Sequence, residues 1–212
     1  TAVANASMTV NWGTTYAPGT RYYVSASTAA DFSGSLAAAN TLEDFVGLSG
    51  LSANALYYAR VSTATGGPFT SLLSTRTMAV VPTFVAPAFS AVTTAGLDMS
   101  WSSGTVGAYN PAGTLYDARI STDNFSTVAD SSATFALSAS FAGLNANTTY
   151  YAQVRARNAD GTPTSYASVG STITRVETPA DIQFDDISTH TITASAYAAS
   201  PAFRNLDKGQ SG

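Results

Sequence analysis

The sequence predicts an all-β protein built from tandem antiparallel sandwich or barrel units. First, apolar and polar residues alternate in short runs such as Met8–Trp12 and Leu97–Trp101, which is the pattern of a strand with one face on a core. Second, turn residues recur between such runs, as at Pro18-Gly19, Gly66–Pro68 and Asp160-Gly161. Third, the chain contains an internal repeat about one domain long.

The internal repeat aligns the strongest core candidates of the chain with each other. Trp101 lies 89 residues after Trp12, and Tyr150 lies 93 residues after Tyr57. The growing offset indicates that the second copy has slightly longer loops in its first half. Each copy has the length of one ordinary domain.

A third copy begins near the end of the 212-residue chain. The pattern of Phe89–Trp101 returns in Phe184–Ala196 at a constant spacing of 95 residues. The expected units are therefore residues 1–79 (a repeat without its first strand), residues 80–178 (a complete repeat), and residues 179–212 (the start of a third repeat and a tail).

Two features of each copy resemble the fibronectin type III domain. One is a tryptophan on an early strand, and the other is a leucine followed six residues later by a tyrosine and then by alternating residues. The resemblance implies a seven-stranded Greek-key sandwich of the immunoglobulin-like kind. It further implies a spacer, an adhesive surface or an accessory domain beside an enzyme. The predicted core residues are Trp12, Leu51 and Tyr57 in the first copy and Trp101, Leu144 and Tyr150 in the second.

The leucine–tyrosine spacing is that of the tyrosine corner of such domains. We expect Leu51 and Leu144 to fill the bottom of each core where the chain crosses between sheets. The hydroxyls of Tyr57 and Tyr150 should then reach back to backbone groups near the crossing, where the strand ladder is interrupted.

The composition excludes several classes of partner. Only 10 % of the residues are charged, the net charge is −4 and Lys208 is the only lysine, so neither nucleic acid nor an anionic membrane has a basic surface to bind. Cysteine is absent, which excludes disulfides and thiolate metal sites. A chain rich in Ser and Thr and poor in Lys is typical of a secreted bacterial protein, and we expect an extracellular or cell-surface location.

No pattern of catalytic or metal-binding residues stands out. His190 is the only histidine, and no G-x-S-x-G motif supplies a nucleophile for it. Asp181, Asp185 and Asp186 do not have the spacing of a calcium-binding loop. We therefore expect a protein that is not an enzyme and has no catalytic residues, cofactor or metal.

The predicted function is a non-catalytic extracellular module that acts as a semi-rigid spacer or part of a surface fibre. One alternative is a filament subunit, because the first copy lacks a counterpart of Pro82–Phe89 and the third copy offers one. Its partner would be a second copy of the chain, bound head to tail. The donor segment, 180–198, contains Ile182, Phe184, Ile187 and Ile192.

A second alternative is a carbohydrate-binding accessory module of a secreted hydrolase. Exposed aromatic rings stack on sugar rings, and three aromatic residues lie in turn-like stretches of the sequence. The polysaccharide contacts would then come from Phe69, Tyr109 and Tyr166.

Overall fold

The computed structural model describes residues 2–13 and 16–197, and within them the regular secondary structure consists of β-strands. The tail after Tyr197, including Lys208, lies outside the described residues. The strands are β1 (Ser7–Asn11), β2 (Tyr22–Ser27), β3 (Leu36–Thr41), β4 (Phe45–Ser49), β5 (Leu56–Ser62), β6 (Thr70–Arg76), β7 (Thr83–Ser90), β8 (Gly96–Ser102), β9 (Gly104–Thr105), β10 (Ala108–Tyr109), β11 (Leu115–Ser121), β12 (Asp130–Thr134), β13 (Ser138–Ala142), β14 (Thr149–Arg157), β15 (Ala167–Ile173), β16 (Asp181–Ile187) and β17 (Ile192–Tyr197).

The second repeat is a complete two-sheet sandwich. One sheet has the strand order β13-β8-β7 and the other the order β12-β11-β14-β15, with antiparallel neighbours throughout. Strand β13 returns across the sandwich to pair with β8, which is the Greek-key connection. Along β8 and β14 every second residue is buried, as a strand with one face on a core requires.

The first repeat has the same two sheets with one strand fewer among the described residues. Its sheets are β1-β4 and β3-β2-β5-β6, so β1 takes the place of β8, and among residues 2–13 and 16–197 no strand fills the place of β7 beside it. A short turn covers part of this edge, where Thr9 N–H donates to the Ala2 carbonyl and Val3 bridges to Met8.

The sheets of the two repeats are separate from each other and from the hairpin β16–β17. The expected domain limits at residues 79 and 178 fall in the strand-free stretches between them and stay predictions. Each sandwich has its own buried core.

A tryptophan lies at the centre of each core. Trp12 and Trp101 are 9 % and 2 % exposed, and each packs its ring against a tyrosine of the facing sheet. The ring centroids are 5.3 Å apart for Trp12–Tyr22 and 5.8 Å apart for Trp101–Tyr116, both in tilted or edge-on geometry. Such pairs contribute roughly 0.5–1.5 kcal/mol beyond the area that they bury.

The two tyrosine hydroxyls bind the backbone at the crossing between sheets. Ser52 N–H donates to the Tyr57 hydroxyl at 2.9 Å, and Asn145 N–H donates to the Tyr150 hydroxyl at 3.1 Å. Leu51 is buried, and Leu144 packs half-buried against the second core. The bend between the sheets is thus held by a side chain from the strand that follows it.

We predict that Tyr150→Phe destabilises the second repeat by about 1 kcal/mol, because Asn145 N–H loses its acceptor while the ring stays in the core. The matched control is Tyr151→Phe, since Tyr151 is the next residue, is half-buried and faces outward. That change should stay within about 0.5 kcal/mol. Urea unfolding measures both, and equal losses for the two variants would contradict a role for the Tyr150 hydroxyl.

Candidate functional site

The feature with the most unusual side-chain chemistry is the junction between the two sandwiches. Asn54 follows the Leu51 crossing and is 7 % exposed. Its Nδ2 donates to Thr114 Oγ1 at 2.9 Å, and its Oδ1 accepts from Ala159 N–H at 2.8 Å. One amide of the first repeat therefore binds two different loops of the second repeat.

The backbone holds Asn54 in a conformation that favours asparagine. Its φ is 49°, in the left-handed region that asparagine enters more readily than most residues. Asn54 N–H donates to the Met78 carbonyl at 3.1 Å, and the Asn54 carbonyl accepts from Arg76 Nη1 at 3.2 Å. The backbone of Asn54 is therefore held by Arg76 and Met78 at the end of the first repeat, which positions the side-chain amide before it meets the second repeat.

A second buried amide holds the linker between the repeats. Asn110 is 6 % exposed. It accepts a hydrogen bond from Val80 N–H at 2.7 Å and donates to the Val80 carbonyl at 2.8 Å and the Ser103 carbonyl at 2.6 Å. The side-chain amide of Asn110 thus binds both backbone groups of Val80, as the backbone of a neighbouring β-strand would.

Two weaker contacts cross the same junction. Arg76 Nε lies 3.0 Å from Asp160 Oδ1, but the Asp160 side chain is 58 % exposed, so this ion pair contributes at most about 1 kcal/mol. Asn158 Nδ2 donates to the Thr77 carbonyl at 3.5 Å, the limit of a hydrogen bond. The buried amides thus dominate the attachment.

Sequence reasoning did not assign a function to either amide. Asn54 and Asn147 lie in the equivalent segments Gly50–Asn54 and Gly143–Asn147 of the two copies, and Asn110 precedes Pro111, a pair that is typical of a turn. The available signal was the recurrence of asparagine at one position of both repeats.

The predicted carbohydrate contacts lie in different surroundings. Tyr109 is 52 % exposed on β10 and lines a cleft of about 370 Å³ at the junction, together with Asn5, Ser52, Val80 and Pro111. Phe69 and Tyr166 lie just before β6 and β15, the last strands of their respective repeats.

Arginine guanidinium groups cover one face of Phe69 and one face of Tyr166. Arg60 Cζ is 3.9 Å from the centroids of both Phe32 and Phe69, and Arg119 Cζ is 3.7 Å from that of Tyr166. These rings are therefore engaged in cation–π contacts that hold loops against the sheet.

The two repeats have an equivalent cross-strand pair in which the arginine lies on one strand in the first repeat and on the facing strand in the second. Arg60 on β5 faces Ser25 on β2 and donates to its Oγ at 3.0 Å. Arg119 on β11 faces Gln153 on β14 and donates to its Oε1 at 2.9 Å. The arginine therefore lies on a different strand in each repeat, but in both repeats its guanidinium group stacks on an aromatic ring.

The acidic residues with perturbed pKa values have structural partners. Burial raises the pKa of Asp117, but Arg155 and Arg157, each with Nε at 2.7 Å from Asp117 Oδ2, more than compensate and lower it below the ordinary value. Asp123 lies in an exposed loop. Hydrogen bonds from Thr127 N–H, the Ser121 hydroxyl and the Thr127 hydroxyl lower the pKa of Asp123 to about 2.

The remaining candidates for chemistry are scattered. His190 lies exposed in the turn between β16 and β17, and its Nδ1 is 2.8 Å from the Thr189 hydroxyl. The side chains of Asp181, Asp185 and Asp186 lie outside what the structure describes. Within the described residues, no three His, Asp or Glu side chains come together as a metal site would require. That part of the chain also contains no helix capable of crossing a membrane.

The proposed strand donor forms a hairpin, and a groove lies beside β1. Strands β16 and β17 pair with Ile187 opposite Ile192, and both of these side chains are about two-thirds exposed. Ile182 and Phe184 lie on β16, opposite Ala196 and Ala194. The groove, of about 550 Å³, runs between β1 and β6, where Met8, Val10 and Leu72 line it.

Comparison with known proteins identifies the fold. No family model and no curated protein matches the chain. Among solved structures, the chain is similar to a two fibronectin type III domain segment from chicken tenascin, with a TM-score of 0.54 and 14 % sequence identity. The match covers 82 % of this chain and 95 % of the tenascin segment.

The chain has the fold of tandem fibronectin type III domains, which confirms the predicted all-β fold class. The bacterial subtype stays a prediction.

We predict that Asp123→Asn makes the protein less sensitive to acid. The folded pKa of Asp123, about 2, lies below the ordinary value of 3.8, so its ionised form stabilises the fold above pH 4. This contribution is lost as the pH falls from about 4 to about 2. Thermal unfolding across this range should therefore show a smaller decrease in Tm for the variant.

The control is Ser126→Ala, because the Ser126 hydroxyl donates to the main-chain carbonyl of Asp123 and does not touch its carboxylate. This variant should keep the acid sensitivity of the unmodified protein. A decrease in Tm that is identical in Asp123→Asn and the unmodified protein would contradict the assignment.

Proposed function

We propose that this chain is a non-catalytic structural or adhesive repeat module whose sandwiches form a semi-rigid spacer in an extracellular or cell-surface protein. The observation that carries the proposal is the pair of buried amides, Asn54 and Asn110, at the junction. Domains joined by an ordinary linker move relative to each other, so a junction with buried, fully paired polar groups calls for a function that needs fixed geometry.

The linker supports this proposal because it is held along its length. The Thr77 hydroxyl donates to the Ser52 carbonyl at 2.7 Å and accepts from Ala55 N–H at 2.9 Å. Val80 is clamped by Asn110, and Pro82 is buried at the entry to β7. A proline there also limits the backbone angles of the linker.

The energetics favour one relative orientation of the repeats. If the sandwiches separated without water reaching these groups, each unpaired buried amide group would cost about 1–3 kcal/mol. If water does reach them, each hydrogen bond is still worth a net 0.5–1.5 kcal/mol or so. Several such bonds together outweigh thermal motion about the linker.

The composition supports an extracellular or cell-surface setting. The chain has no cysteine and only 10 % charged residues, so few of its surface positions carry a charge. A surface of this kind has little of the charge that drives binding to nucleic acid or to anionic lipid.

We predict that Asn54→Ala loosens the junction, because Thr114 Oγ1 and Ala159 N–H lose their partner in the first repeat. The absence of cysteine allows spin labels at Ser49→Cys and Ser140→Cys, which are exposed positions on matching strands. The label-to-label distance distribution should be narrow in the parent and broader in the Asn54→Ala variant.

The control is Asn147→Ala, because Asn147 has nearly the same φ as Asn54, 47°, and no hydrogen bond to the first repeat in the described structure. It reproduces the backbone strain of the substitution without the junction change. A distribution that is equally broad in the parent and in Asn54→Ala would contradict the rigid spacer.

A filament subunit is the second candidate, and the groove beside β1 favours it. In the second repeat, β7 fills the corresponding position, where it pairs with β8 and lies against β15. Strand β16 follows the second repeat as β7 follows the first, so a second copy of the chain could add β16 to the open edge of β1. An interface of this head-to-tail type repeats from chain to chain.

Donation requires β16 to leave β17. A two-stranded hairpin by itself is only marginally stable in water, so little stability is lost when it opens. In the groove, the donated strand would gain a sheet edge and an apolar surface formed by Met8, Val10 and Leu72.

We predict that deleting residues 180–212 leaves a monomer that no longer polymerises but still binds a synthetic peptide of residues 180–198. Sedimentation velocity follows the assembly, and fluorescence anisotropy follows the labelled peptide. A peptide of scrambled sequence is the control. Polymers that persist after the deletion, or equal binding of both peptides, would reject strand donation.

A further inference from the structure

The far end of the second repeat reproduces the surface by which the first repeat holds its neighbour. Asn147 occupies the position of Asn54, with φ of 47° against 49°. Asn147 N–H donates to the Arg175 carbonyl at 3.1 Å, as Asn54 N–H donates to the Met78 carbonyl at 3.1 Å. The same turn thus presents an asparagine at the end of the first repeat that meets the second, and again at the far end of the second repeat.

A buried threonine supports the turn in each repeat. The Thr174 hydroxyl donates to the Asn145 carbonyl at 2.6 Å and accepts from Thr148 N–H at 3.0 Å. Thr77 makes the equivalent pair of hydrogen bonds in the first repeat. The support is therefore complete at the far end, before any partner is added.

The two asparagines differ in what their side chains contact. Asn54 is 7 % exposed and uses both ends of its amide on the second repeat. Asn147 is half-buried, and its side-chain amide has no hydrogen-bond partner within residues 2–13 and 16–197. Its donor and its acceptor are both available.

The near end of the first repeat carries the complementary half of the interface. Thr20 occupies the position of Thr114, and each donates through both its N–H and its hydroxyl to the carbonyl three residues earlier. Thr114 Oγ1 also accepts from Asn54, whereas Thr20 Oγ1 has no donor among the described residues. Thr20 is half-buried and Thr114 is 1 % exposed.

The stretch after the second repeat begins like the first linker. Pro179 follows Thr174 at the spacing at which Pro82 follows Thr77, and a strand begins shortly after each proline, β7 at Thr83 and β16 at Asp181. A repeat that follows this stretch can therefore start close to Asn147, as the second repeat starts close to Asn54.

We propose that Asn147 docks a further repeat of the same kind, by donating to a threonine hydroxyl at the position of Thr20 and Thr114 and accepting from a backbone N–H at the position of Ala159. The inference rests on the proposed spacer function and names the partner that the Asn147 surface of the second repeat would bind. The contact is continuous with the existing junction, so an array grows with one repeated geometry.

The ion pair of the first junction has no counterpart at the second. The position of Arg76, which pairs with Asp160, is taken by Ile173 in the second repeat. The contact of Asn147 with a further repeat therefore forms without that ion pair.

The test uses a three-repeat chain in which residues 1–175 are followed by a second copy of residues 79–178. The copy keeps all seven sandwich strands, the core residue Ala79 and the buried Val80, so it is a complete folding unit. Spin labels at Ser140→Cys in both copies report the new junction. We expect a narrow distance distribution, and we expect hydrogen exchange at Ala159 N–H of the appended copy to be slowed about fivefold relative to the Asn147→Ala chain.

Asn147→Ala should broaden the distribution, and Asn147→Gly should do the same without adding strain at a positive φ. Asn54→Ala, measured with labels at Ser49→Cys and Ser140→Cys, is the reference for the first junction. If Asn54→Ala loosens the first junction while both Asn147 variants leave the second unchanged, the inference is overturned and the spacer function stands. If neither asparagine matters, the spacer function fails as well.

Discussion

The buried side-chain amide of Asn54 is the contact on which the arrangement of the two sandwiches depends. It belongs to the first repeat by its backbone and to the second repeat by its hydrogen bonds to Thr114 and Ala159. Its position follows from the crossing between sheets, where Leu51 is buried and the Tyr57 hydroxyl binds Ser52 N–H. The interaction that closes each core therefore also positions the residue that joins the cores.

The sequence predicts the features that depend on local pattern. Alternation places Trp12 and Trp101 on inward faces, because side chains of a strand alternate between its two sides. The recurrence of Leu and Tyr at one spacing, Leu51–Tyr57 and Leu144–Tyr150, indicates the same crossing twice. These features repeat along the chain, so each copy supports the interpretation of the other.

The sequence does not predict contacts that depend on how two folded bodies meet. Asn54 and Ala159 are far apart along the chain, and nothing near either residue specifies the other. The aromatic residues gave a similar difficulty, because Phe69 and Tyr166 read as exposed loop residues while their rings stack on Arg60 and Arg119. Because the arginine lies on different strands in the two repeats, aligning the two copies of the sequence does not reveal the arginine–aromatic stacking.

The central claim is that the two sandwiches tumble as one body because of the amides at their junction. Residual dipolar couplings of backbone amides in the two repeats measure this directly, since each repeat reports its own alignment. A single alignment tensor that fits residues 7–76 and 83–173 together is the expected result. Two tensors of different magnitude would mean that the repeats reorient independently, and would contradict the claim.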